Sequence, residues 1–122
     1  MAHHTDLGQK GEDLALKFLT EKGFRIKERN WRYDRAEIDL IAVHRQQIVF
    51  VEVKTRSAVI YEEPRDSISE QKIRLLVHAA EAYLLEKEID LEARFDVVSI
   101  KWFGDEKYEI EHIEDAFTPP VY

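Results

Sequence analysis

The sequence predicts an α/β domain in which a mixed β-sheet is flanked by helices, and three observations carry that expectation. Segments with apolar residues at helical spacing alternate with strand-like segments in the order α-β-β-β-α-β. Two of the strand-like segments are separated only by His44-Arg45-Gln46-Gln47, which suits a hairpin. The chain has 122 residues, 44% of them hydrophobic and 35% charged, which is enough for one domain spanning 1–122 with a core of its own.

The elements follow in order. Residues 7–22 read as a helix with Leu7, Leu14, Ala15, Leu16, Phe18 and Leu19 clustered on one side; Gly23 is its expected C-terminal cap. Phe24 to Tyr33 is the first strand, and the hairpin 37–43/48–54 follows. A polar connection runs from Thr55 to Asp66. Ser67-Ile68-Ser69-Glu70 has the form of a capping box and opens a second helix that reaches about Lys87. Arg94 to Ile100 is a strand, Lys107 to Ile113 another, with a turn at Gly104-Asp105 and an irregular end at Thr118-Pro119-Pro120. On helical wheels Glu12 and Lys72 fall inside otherwise apolar arcs, so both ionisable groups are expected to point toward the body of the protein.

The hairpin holds the main chemical anomaly. Ile48-Val49-Phe50-Val51 reads as a buried strand, yet it continues into Glu52-Val53-Lys54. Period-two geometry puts Glu52 and Lys54 on one face, about 6.6 Å apart along the strand, with Val49, Val51 and Val53 on the other. A turn centred on Arg45-Gln46 would set Ile41 opposite Phe50, Asp39 opposite Glu52 and Glu37 opposite Lys54. Two carboxylates facing each other on a half-buried surface need a shared proton or a cation.

Composition narrows the rest. The chain has no cysteine, which excludes disulfides, thiolate catalysis and cysteine-ligated zinc and fits a cytoplasmic setting. No apolar run approaches a membrane span, and Met1 to Asp6 lacks a signal-peptide pattern. The formal charge of −7 argues against nucleic-acid binding, but residues 1–80 carry 14 basic and 13 acidic side chains while residues 81–122 carry 4 and 12. Lys22 to Arg35 alone holds six basic residues, so the chain is electrically two-sided. The five histidines are scattered and have no ligand spacing.

Gly11-Glu12, Arg29-Asn30-Trp31-Arg32, Glu37-Ile38-Asp39-Leu40-Ile41-Ala42, Val49 to Arg56 and Arg94 to Val98 resemble the signature blocks of the uncharacterised bacterial YraN-like family. That family is similar to the archaeal Holliday-junction resolvases and belongs to the PD-(D/E)XK nuclease superfamily. The resemblance covers nearly the whole chain. Ala36 stands where the family usually has glycine, and Asp39 lacks the preceding proline that names the superfamily. The resemblance implies a restriction endonuclease-like core and a Mg²⁺ (or Mn²⁺) site held by Asp39, Glu52 and the backbone carbonyl of Val53. It also implies a supporting role for Glu12 and a catalytic role for Lys54 beside the attacking water. Hard oxygen ligands suit Mg²⁺, and lysine supplies a compact charge.

The expected activity is endonucleolytic hydrolysis of DNA, with branched or repair intermediates among the candidate substrates. Arg29, Arg32, Arg56 and Lys72 are the candidate nucleic-acid contacts, and homodimerisation is expected by analogy with the resolvases. The rival is a catalytically weak nucleic-acid-binding or assembly module that keeps the fold. Each residue also has a plainer reading. Asp39 and Glu52 could be a slipped surface pair, Glu37 with Lys54 a cross-strand salt bridge, and Glu12 and Lys72 partners in a structural ion pair. Trp31 is expected in the core.

Overall fold

The computed structural model describes residues 6–57, 68–104 and 106–118. Its elements are α1 (Asp6–Glu21), β1 (Arg25–Tyr33), β2 (Ala36–His44), β3 (Gln47–Ser57), α2 (Glu70–Glu86), β4 (Glu92–Gly104) and β5 (Lys107–Ile113). The five strands form one sheet in sequential order, antiparallel throughout except for the parallel pair β3–β4. A parallel neighbour requires a crossover, and α2 supplies it. The α/β expectation therefore holds, with β5 where Lys107 to Ile113 reads as a strand and β4 longer than expected at both ends.

Alternation along the central strands sorts the core into two layers. Ile48 and Phe50 face α2, where Ile38, Ile41, Leu76, Val77, Ala80, Tyr83 and Phe95 pack. Val49 and Val51 face α1 and meet Ala15, Leu19, Leu40, Ala42, Val98 and Ile100. Burying each such side chain contributes roughly 1.5–3 kcal/mol, so the doubly covered β3 is the most firmly held strand. Trp31 is half-buried and packs against the α2 layer, edge-on to Tyr83 with centroids 5.1 Å apart, so it lies at the rim of the core rather than inside it.

The hairpin register is the one expected: Leu40 pairs with Val51, Ile41 with Phe50 and His44 with Gln47. Arg45 and Gln46 form its two-residue turn at φ 49 and 71, the left-handed conformations a primed turn demands. Two local expectations are corrected. The cap of α2 is Ser69, whose hydroxyl accepts from the Lys72 amide, so Glu70 is the first helical residue rather than the third after a cap at Ser67. Ser67, Pro64 and most of the polar connection lie outside the described residues, and β3 runs on to Ser57. Asp105 and Pro119-Pro120 also lie outside them.

Candidate functional site

The β2–β3 ladder stops at Leu40–Val51, one pair short of Asp39–Glu52. Beyond it β2 keeps pairing with β1, through Ile38–Trp31, Glu37–Arg32 and Ala36–Tyr33. The side-chain alternation breaks at the same place. Ile38 and Ile41 share the α2 layer although three residues separate them, while Leu40 lies in the α1 layer. An uninterrupted pleat cannot do this, so Asp39 sits at an irregularity that re-aims its side chain. Across from it, Asn30 takes φ 52, and the β1–β2 pairing steps from Arg29–Leu40 to Trp31–Ile38 over these two residues. Asparagine is among the few residues that tolerate that conformation.

The consequence is a carboxyl pair at the mouth of the hairpin. Asp39 Oδ2 accepts from the Val53 amide at 2.7 Å, replacing the ladder bond that β2 no longer makes. The Asp39 and Glu52 carboxyls lie close enough together to act directly on one another. Burial pushes the Asp39 carboxyl well above the usual carboxylate range, and the charge on Glu52 adds to the rise. Glu52 is only 4% exposed and takes two cations on Oε2, Lys72 Nζ at 2.7 Å and Lys54 Nζ at 3.5 Å. Burial works against the charged form of Lys72, but Glu52 outweighs it and leaves the pKa above the ordinary lysine value.

Glu12 reaches this place because α1 lies tight against β3. A Cβ on Gly11 would collide with Thr55 Oγ1 and fall 3.0 Å from the Thr55 Cβ, so only glycine allows the approach. Buried Glu12 accepts from Asn30 Nδ2 at 3.1 Å, with Arg29 at 4.0 Å. Glu37 does not meet Lys54. The ladder ends before that pair, and Glu37 accepts from Arg32 Nε at 3.2 Å.

Two clefts open here. One, of about 290 Å³, is lined by Glu12, Asp39, Glu52, Val53, Lys54 and Lys72 among others. The adjoining one, of about 410 Å³, is lined by Arg32, Arg35, Glu37, Ser69 and Gln71, and shares Asp39 and Lys72 with the first. The structure thus gathers all four candidate catalytic residues, Val53 and Lys72, and puts Arg32 next door. Arg29 is turned to α1 by an ion pair with Asp13, and Arg56 lies farther along β3 in register with Lys101. Sequence reading missed Asn30 and Arg35. An asparagine inside a strand, where it is a poor former, was the available signal for Asn30.

Among the described residues no three His, Cys, Asp or Glu side chains are grouped closely enough to hold a metal ion by themselves. The donor set still suits Mg²⁺, which commonly takes one or two carboxylates and keeps several waters. Asp39 and Glu52 are the two carboxylates that could serve it.

A second polar cluster escaped the sequence reading. Asp96, with no exposed surface, accepts two bonds from Arg94 at 2.9 Å, one from the Asp115 amide at 3.0 Å and one from His112 Nε2 at 2.8 Å. Lys22 Nζ lies 2.7 Å from His112 Nδ1; lysine can only donate, so Nε2 carries the ring proton. Burial alone would raise the Asp96 pKa, but these bonds outweigh it and hold it below the usual value. With every acceptor satisfied, the cluster ties β4 to β5 and the segment after it.

Fold and site together define an α/β protein with a carboxylate–lysine cleft at the end of its central hairpin. The chain belongs to the uncharacterised protein family UPF0102, whose model matches residues 11–100. A UPF0102 protein of Flavobacterium psychrophilum is 46% identical over 117 residues, 96% of this chain and 98% of that protein. Others from Phocaeicola vulgatus and Bacteroides thetaiotaomicron are 37% and 39% identical over 123 residues, all of both chains in each case. No helix among the described residues is long and apolar enough to cross a membrane.

Proposed function

We propose that this protein is a Mg²⁺-dependent phosphodiester hydrolase of the PD-(D/E)XK kind, with DNA as its substrate. The observation that supports this reading best is the Asp39–Glu52 contact flanked by Lys54 in a cleft that continues into one lined by Arg32, Arg35 and Lys72. Asp39 and Glu52 would hold the metal, with the Val53 carbonyl beside them. When bound, Mg²⁺ supplies a water of lowered pKa and positive charge for the phosphate. Lys54, tethered to Glu52 and 21% exposed, keeps a fixed positive charge where the nucleophile would enter. Asn30 and Arg29 hold Glu12, which lends negative charge to the rear of the cleft. Arg32, Arg35 and Lys72 offer the donors a phosphate backbone requires.

The test is a cleavage screen with Mg²⁺ and Mn²⁺ over single-stranded, duplex, flap and four-way DNA, with matching RNA substrates and an Asp39→Asn control. Metal-dependent cleavage lost in the control is the expected result. Binding without cleavage on every substrate would favour a binding or assembly module instead.

A further inference from the structure

Lys72 is electrostatically misplaced. It occupies the first turn of α2, the positive end of the helix dipole, where a cation is disfavoured. Its backbone is fixed, since its amide donates to the Ser69 cap at 3.1 Å. Its side chain borders open space: it is 44% exposed, against 21% for Lys54, and it lines both clefts. Its Nζ nevertheless makes the shorter contact with Glu52 Oε2, 2.7 Å against 3.5 Å for Lys54. With both lysines in place the pair formed by Asp39 and Glu52 already faces two positive charges.

We infer that Lys72 is an internal counter-cation that competes with a divalent metal for Glu52 and is released into the adjoining arginine-lined cleft when the metal binds. The inference rests on the hydrolase reading of this site. A divalent ion on Glu52 would bring two more positive charges beside an ammonium that already contacts the same oxygen. The ammonium that leaves is the more exposed of the two, that of Lys72. Swinging away from Glu52, it enters the space lined by Arg32 and Arg35, where a phosphate group is the partner that its position at the helix N-terminus lacks. Lys72 is thereby a positioning residue that links metal occupancy to the strength of the phosphate-binding cleft.

The test is calorimetric titration of the whole protein with Mn²⁺ at pH 7.5, comparing wild type, Lys72→Met and Lys72→Arg. Lys72→Met, which keeps the apolar stem, should bind Mn²⁺ about tenfold or more tightly than wild type. Lys72→Arg, which keeps the charge, should stay within about two- to threefold of wild type. Equal or weaker Mn²⁺ binding by Lys72→Met overturns the inference. Mn²⁺ binding to none of the three sinks the hydrolase reading itself, so the two failures are distinguishable. Should Lys72→Met not fold, the wild type suffices. With its lysines ¹³C-dimethylated and Lys72 assigned from Lys72→Arg, the Lys72 resonance should shift on adding Mg²⁺; an unmoved resonance in a protein that binds Mg²⁺ refutes release.

Discussion

Replacing Asp39 with asparagine should stabilise the metal-free protein, which is the reverse of what removing a buried charged group usually does. The carboxamide that Asp39→Asn introduces can keep the 2.7 Å bond from the Val53 amide through its carbonyl oxygen and donate its own N–H to Glu52. What the substitution removes is the conflict between two carboxyls. Two full charges about 4 Å apart near a protein surface repel by about 4 kcal/mol, which is an upper limit because Asp39 escapes part of the cost by keeping a proton. A gain of about 1–3 kcal/mol at pH 8 follows, with each kcal/mol worth about 4 °C in melting temperature. The sign with pH is fixed by the raised pKa of folded Asp39. The unfolded chain loses this proton first, near the ordinary value of about 3.9, so wild-type stability falls as pH rises from there through the folded value. The advantage of Asp39→Asn must therefore be small near pH 4 and grow toward pH 8. Urea and thermal melts in EDTA from pH 4 to pH 9 measure it. A variant less stable than wild type throughout, or a gain that does not grow with pH, would refute the reasoning.

Further expectations concern neighbouring residues. Lys54→Ala should abolish cleavage, keep DNA affinity within a few-fold and cost less than about 1 kcal/mol, because Lys72 still neutralises Glu52; full cleavage in Lys54→Ala removes its catalytic role. Gly11→Ala should destabilise by about 1–2 kcal/mol despite alanine's better helix propensity, since rotating Thr55 frees Oγ1 but leaves its Cβ at 3.0 Å; a melt at or above wild type would show that α1 can shift freely. Asp96→Asn should cost about 1–3 kcal/mol at pH 7, because Arg94, 12% exposed, loses its buried carboxylate and keeps only Gln47 at 3.0 Å and Glu114 at 3.7 Å. The Asp96 pKa is lowered on folding, so its contribution is present above about pH 4 and disappears as pH falls through the folded value. Acid unfolding followed by circular dichroism should show the two proteins converging in stability below that point.

Much of this site could be read from the chain because it depends on local periodicity. The hairpin register follows from two alternating segments and a two-residue turn, and the wheel position of Glu12 already aimed it inward, whereas Lys72 reaches Glu52 from a half-exposed position. Three features were not legible, each for a physical reason. The break in alternation at Asp39 lies across from the left-handed Asn30 of the neighbouring strand, which no pattern within β2 encodes. Glu37 was assigned to Lys54 by extending the ladder past the point where β2 leaves β3 for β1, where Arg32 claims it. Asp96 looked like one polar interruption in an apolar strand; its partners come from β5 and the chain after it, and only Arg94, two residues earlier on the same face, offered a hint.

The central claim is that Asp39 and Glu52 together hold a divalent ion. A crystal soaked in Mn²⁺ and measured at the manganese absorption edge tests it without knowledge of the substrate. The claim predicts one anomalous peak between the two carboxylates, roughly 2.0–2.3 Å from an oxygen of each, with the Val53 carbonyl oxygen as the further ligand. A fully soaked crystal with no peak there, or with its strongest peak elsewhere on the molecule, would contradict it.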